Sequence, residues 1–202
     1  MRRAVLMIVA AAAVLASVAS ADAPGVYAIR GARIVTVTST AHHMGRAISP
    51  ANPHLHGRYR PWRAYGQAKL ANFHFGLGLQ RELENAGAST ASLIAHPGLS
   101  NTDLQAVSVQ QTGGGTSQRF FLFLARRSGM SAADGALSQL RAATDPAAEG
   151  GEFYGPRFVN SGPPVRKPVV RRLGMDKAIA ALWEVSERET GIAIDVRAAA
   201  PA

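Results

Sequence analysis

The chain contains no cysteine, so neither a disulfide nor a thiolate metal site contributes to its structure or chemistry. Acidic residues are few, 13 against 22 lysines and arginines, and the formal net charge is +9. Charged residues of both signs make up only 17% and hydrophobic ones 47%, which excludes a disordered polyelectrolyte. The 202 residues suit one domain with a substantial core. The sequence shows no internal repeat. Six histidines form no ligand pattern: His54 and His56 sit in a loop without a carboxylate near them in sequence, so no metal is expected. A basic chain can bind nucleic acid or an anionic membrane. The arginines here read as scattered, with only Arg166, Lys167, Arg171 and Arg172 clustered, and without interleaved aromatics. The excess charge is therefore assigned to a solvated surface, with no nucleic-acid partner and no membrane partner expected.

Residues 1–21 open with Met1-Arg2-Arg3, run without charge from Ala4, and end Ala19-Ser20-Ala21. A positive start, an apolar middle and a small-x-small end describe a secretory signal peptide. The run lies near the ~18-residue lower limit of a membrane span, diluted by alanine and serine. A buried alanine-rich helix, or a misplaced translation start, would read the same way. The chain divides on this basis into an apolar segment 1–32, a folded unit 33–196 and a tail 197–202.

Within the folded unit, 33–39 reads RIVTVTS, whose β-branched alternation predicts a buried strand. Residues 40–63, rich in His, Pro, Gly and Arg, predict a long loop. Residues 65–86 predict a helix closed by Gly87, with apolar rows Leu70, Phe73, Leu77 and Phe75, Leu79, Leu83 giving it a wide apolar face. TASLIA at 90–95 predicts a second strand, stopped by His96-Pro97-Gly98. A glycine-rich turn at 112–118 leads to an apolar stretch at 120–125. Ser131 and Asp134 form a capping box for a helix over 131–144, stopped by Asp145-Pro146. Residues 150–167 read as loop. Residues 175–190 predict a last helix with Ile179, Leu182, Trp183 and Ser186 on one side, closed by Gly191. Strands alternating with helices at this spacing predict an α/β fold with a parallel sheet.

Tyr65 and Lys69 stand four apart near a helix start, so their Cβ atoms lie about 5–6 Å apart on one face. A phenol is a poor base at neutral pH, and a neighbouring ammonium favours its phenolate. Such a pair can exchange a proton with a carbonyl or an alcohol. Ser39 ends the first strand, where a hydroxyl projects beyond the carboxyl edge of a parallel sheet, the edge at which ligands bind. The runs RIVTVTSTAH at 33–42, YGQAKLAN at 65–72 and HPGLSNT at 96–102 occur in order. Together they resemble successive signatures of the short-chain dehydrogenase/reductase family, nearest its retinol-dehydrogenase-like and protochlorophyllide-reductase-like branch in an actinobacterial style. Residues 134–146 and GEFYGP at 151–156 are similar to the same branch, and coverage runs from about Arg33 to Val196.

The resemblance implies a partial Rossmann-like, doubly wound parallel sheet that lacks the N-terminal nucleotide-binding strands. It implies an NAD(P)-dependent oxidoreductase, in this chain a truncated form, that interconverts an alcohol and a carbonyl. Tyr65 would be the general acid/base. Lys69 would hold the nicotinamide ribose and favour the Tyr65 phenolate. Ser39 would hydrogen-bond the substrate oxygen, and Pro97, Gly98 and Thr102 would lie beside the nicotinamide. The cofactor would be NAD or NADP and the home cytoplasmic, with export or membrane attachment through residues 1–21 as the alternative. A homo-oligomer is expected through the helix over 65–86.

The family's glycine-rich strand–turn–helix, which holds the cofactor phosphates, does not precede Ser39. Gly76-Leu77-Gly78 lies inside a helix and reads as packing. Thr112-Gly113-Gly114-Gly115 follows the Pro-Gly motif and reads as a flexible loop. The chain alone is accordingly expected to bind nicotinamide nucleotide weakly or not at all. The competing reading is a catalytically inactive remnant that self-associates or binds a full-length homologue.

Overall fold

The structure is a computed structural model that describes residues 31–100 and 129–199. Strand β1 (Arg33–Val37) leads through a 3-10 turn (Thr40–Met44) and a loop to helix α1 (Pro61–Asn85). Strand β2 (Ala91–Ala95) follows, then helix α2 (Ala132–Thr144). Strands β3 (Phe153–Pro156) and β4 (Pro164–Lys167) form a hairpin, and helix α3 (Met175–Thr190) precedes a last 3-10 turn (Val196–Ala199). The sheet order is β1-β2-β3-β4, parallel except for β3–β4. This is an α/β fold with a mostly parallel sheet, as a partial Rossmann-like unit requires.

Period-two alternation sends β2 to two different cores. Leu93 and Ala95 pack with Ala142, Ala148 and Tyr154 on the α2 side. Ile94 packs with Phe73 and Phe153 on the α1 side, and Ser92 Oγ donates to the Gly76 carbonyl there. Helices thus cover both faces, which is why the strand reads as a continuous apolar run.

Helix α1 starts four residues ahead of the sequence expectation, because Pro61 occupies the first turn, where a missing N–H costs nothing. Gly76 and Gly78, inside it, are packing sites, as anticipated. A Cβ on Gly76 would lie 2.5 Å from the Ile94 side chain, and one on Gly78 would lie 2.8 Å from Ile179. Helix α2 starts at the expected cap: Ser131 Oγ accepts the Asp134 N–H at 3.0 Å.

Two expectations need correction. The stretch 150–167 is a hairpin, not a loop. Gly155, Pro156 and Pro164 break the β pattern in sequence, and long-range bonds hold the strands instead. Glu152 accepts from Tyr154 and Arg166, and Arg141 donates to the Pro164 carbonyl. The second apolar row of α1 is covered within the chain. Phe75 meets Trp183 edge-on at 5.2 Å, and Leu79 and Leu83 are buried, with α3 supplying Ile179, Leu182 and Val185. That row of α1 thus packs against the chain's own last helix. Leu79→Asp is therefore expected to lower stability by about 4 kcal/mol or more through a buried unpaired charge. A chemical denaturation curve checks this; a shift in sedimentation without loss of stability would contradict it.

Candidate active site

The β1–β2 register pairs Val37 with Ala95, so both strands end at one level. The Thr38 N–H continues the ladder to the Ala95 carbonyl at 2.8 Å. On the other side, the His96 N–H reaches the Tyr154 carbonyl at 3.0 Å. Three strand ends therefore share the carboxyl edge: Thr38-Ser39, His96-Pro97-Gly98, and the turn after Pro156.

Helix α1 is fastened to that edge by the turn that carries Lys69 and Asn72. Buried Thr38 donates its hydroxyl to the Lys69 carbonyl at 2.7 Å, and the Asn72 amide donates to the Val37 carbonyl at 3.0 Å. The 3-10 turn presses on the same part of the helix. A Cβ on Gly45 would lie 2.3 Å from the Gly66 carbonyl oxygen, so this crossing requires glycine. Tyr65 precedes Gly66. The Lys69 ammonium nitrogen lies 5.7 Å from the centre of the Tyr65 ring. Both side chains are half-buried, and neither the Tyr65 hydroxyl nor Lys69 Nζ has a hydrogen-bond partner among the described residues. Ser39 caps the 3-10 turn, its Oγ accepting the Ala41 N–H at 3.3 Å, which leaves the hydroxyl proton to donate elsewhere.

His42, three residues after Ser39, escaped the sequence reading. Its Nδ1 lies 2.6 Å from the Ser39 carbonyl, which only a protonated Nδ1 can bond, and its ring stacks on Phe73 at 4.6 Å and 4°. It thus clamps the serine's own peptide to α1. Burial lowers the His42 pKa to about 4, with His43, Arg172 and His74 adding to the effect and the Ser39 bond opposing it. The signal in sequence was a histidine at the end of the strand-plus-turn run, indistinguishable there from a loop residue.

Pro97 and Gly98 turn the chain away from the edge. Gly98 has φ +73, and a Cβ there would lie 2.6 Å from the Asn160 carbonyl oxygen, so glycine is required. Buried His96 accepts the Gly98 N–H at Nδ1, 3.1 Å away, and burial lowers its pKa to about 4, helped by His42, Lys167 and His43. Thr102, also assigned to the cofactor, lies outside the described residues, as do the glycine-rich turn at 112–118, the apolar stretch at 120–125 and the segment 1–30.

Among the described residues, no group of three His, Asp or Glu could hold a metal ion. His54 does have a carboxylate partner, contrary to its reading from sequence: its Nε2 lies 2.8 Å from Glu189, which fastens the loop to the end of α3. Also among the described residues, no helix is long and apolar enough to cross a membrane.

No protein-family model matches the chain. Curated relatives do. The chain is 46% identical over 77 residues to polyprenol dehydrogenase of Mus musculus, covering 37% of this chain and 22% of that protein. It is 37% identical over 73 residues to the short-chain dehydrogenase/reductase prx1 of Penicillium roqueforti, covering 36% and 21%. It is 39% identical over 77 residues to retinol dehydrogenase 11 of Homo sapiens, covering 36% and 22%. Over the matched stretches, the chain is similar to members of the short-chain dehydrogenase/reductase family. An uncharacterized protein from Mycobacterium paratuberculosis shares the fold with TM-score 0.57 and 36% identity, over 81% of this chain and 52% of that one. This dehydrogenase-related chain thus spans about a fifth of the length of its curated relatives and about half of its structural one.

Proposed function

We propose that the chain carries the catalytic part of an NAD(P)-dependent oxidoreductase that interconverts an alcohol and its carbonyl. The observation that carries this reading is the Tyr65–Lys69 pair, 5.7 Å from ring centre to ammonium, fastened through Thr38 to the strand end that presents Ser39. The residues fit the nicotinamide end of such a cofactor. Lys69 brings a half-buried ammonium with no acidic partner among the described residues, as a ribose hydroxyl acceptor pair requires. When bound, the nicotinamide supplies or accepts the hydride. Tyr65 gives its phenolic proton to the carbonyl oxygen in reduction and takes the hydroxyl proton in oxidation. Lys69 holds the ribose and favours the phenolate between turnovers. Ser39 donates a hydrogen bond to the substrate oxygen, aimed at the charge that develops there. Pro97 and Gly98 bring an apolar turn beside the nicotinamide ring. The polyprenol and retinol named in the relatives support a water-insoluble alcohol as substrate.

The test is nicotinamide absorbance followed with the purified chain, NAD or NADP, and prenyl or retinoid alcohols. Alcohol-dependent reduction of the nucleotide is the expected result. A folded chain that binds neither nucleotide and turns over none of the alcohols would overturn the reading in favour of a non-catalytic remnant.

A further inference from the structure

Immediately ahead of the Tyr65 turn, residues 57–63 read Gly-Arg-Tyr-Arg-Pro-Trp-Arg. Cations and aromatics alternate here, an arrangement missed when the arginines were read as scattered. The side chains are displayed: Tyr59 is 67% exposed and Trp62 39%, with the Trp62 ring edge-on to Tyr65 at 6.1 Å. Among the described residues, no carboxylate or other acceptor engages Arg58, Arg60 or Arg63. With Asn52, Leu55 and His56 these arginines line an open cleft of about 260 Å³ that contains no acidic residue.

The loop is built to hold this display. Asn52 bonds the His56 backbone twice, accepting its N–H at 2.8 Å and donating to its carbonyl at 3.1 Å. That closed turn keeps Leu55 at φ +56, a left-handed conformation costly for a branched apolar residue. Gln67 of α1 ties Pro53, and Glu189 of α3 ties His54. The loop so fixed carries a leucine at positive φ, two exposed aromatics and three arginines that no acceptor engages among the described residues.

We propose that segment 57–63 is the face by which this protein lies against an anionic lipid surface. Tryptophan and tyrosine settle at the headgroup level, where one end of the ring is apolar and the other wet. Arginines bury their stems while keeping the guanidinium at the phosphates. The short segment, a proline at its centre and a leucine at its rim suit a flat interface. A single nucleic-acid strand would instead need a groove tracking several successive phosphates. The position assigns a purpose, which rests on the reading under Proposed function: a water-insoluble alcohol would leave the bilayer beside Tyr65. The docking itself does not depend on that reading.

The experiment is cosedimentation of the full chain with vesicles of phosphatidylcholine, alone or mixed with phosphatidylglycerol. A triple variant, Arg58→Gln, Arg60→Gln and Arg63→Gln, is run beside it. All chains carry the same residues 1–30, so differences report the segment alone. Binding to the anionic vesicles should weaken with salt, and it should fall roughly a hundredfold in the triple variant, given the usual contribution of each basic residue at such a surface. Three arginine-to-lysine replacements should retain most of the binding. In a Trp183→Phe background, Trp62 emission should shift to the blue on anionic vesicles. Equal binding to neutral vesicles, an unaltered triple variant, or tighter binding to a single-stranded oligonucleotide than to anionic vesicles would each overturn the proposal. Vesicle binding without alcohol turnover would leave this interface standing and remove only the oxidoreductase reading.

Discussion

Replacing Tyr65 by phenylalanine is expected to lower alcohol turnover by at least ~100-fold, the smallest usual contribution of a positioned acid/base. The thermal transition should be nearly unchanged, because the ring is kept and the Tyr65 hydroxyl has no partner among the described residues. Two further replacements separate the roles. Lys69→Ala should reduce both turnover and nucleotide affinity, since the ammonium is asked to hold the ribose as well as to favour the phenolate. Ser39→Ala should reduce turnover by about 10²-fold with nucleotide affinity intact, the cost of losing one donor to a developing oxyanion. Steady-state kinetics and a nucleotide titration on all three variants check the set. Near-normal turnover in Tyr65→Phe would remove the mechanism whatever the kinship.

Stability should fall steeply with acidification between about pH 6.5 and pH 4. His42 and His96 are buried and neutral, with pKa values lowered to about 4, and burial lowers His43 and His74 as well. In the unfolded chain these rings protonate near 6.5, so across that window the unfolded state binds more protons and is favoured. The stability is fully present above the unfolded value and is lost as the pH drops through the folded one. His42 and His96 each contribute at most about 3 kcal/mol to the loss. Urea denaturation midpoints at pH 7.5 and pH 4.5 measure it, and the His42→Phe variant should lose part of the dependence. A flat profile would contradict the burial of these rings. The same protonation would put a charge on the buried ring stacked against Phe73, while the Nδ1–H bond to the Ser39 carbonyl would persist, so turnover should decline only as the fold around Ser39 loosens in that window.

The parts of the fold legible in sequence are those whose signals are local. RIVTV and ASLIA are β-branched or apolar runs between breakers, and both are strands. Ser131 caps its helix and Gly191 closes the last one, since caps depend on a few adjacent residues. The parts that failed depend on partners distant in the chain. Glu152 holds β4 through Arg166, and nothing local marks a four-residue strand containing Gly155 and Pro156. Cover for Phe75 and Leu79 comes from α3, about a hundred residues later, so a wide apolar face could not be told from an interface between copies. In the site, the Tyr65–Lys69 spacing is a property of helix geometry and was readable. The His42 clamp requires the turn to fold back on Phe73, and His54 finds Glu189 only in three dimensions. The alternation at 57–63 was local and was passed over, because the arginines were weighed by their spread along the whole chain.

The two glycines at the middle of α1 tie that helix to elements later in the chain. Each weakens the isolated helix by about 1 kcal/mol relative to alanine, and at these two positions the helix packs closely against Ile94 and Ile179. A chain ending at Asn85 would lack both partners and is expected to hold this helix weakly. In the folded chain β2 packs against Gly76 and α3 against Gly78. Tyr65 and Lys69 stand early in the chain, yet the helix that holds them side by side completes its packing only against elements made later, β2 and α3.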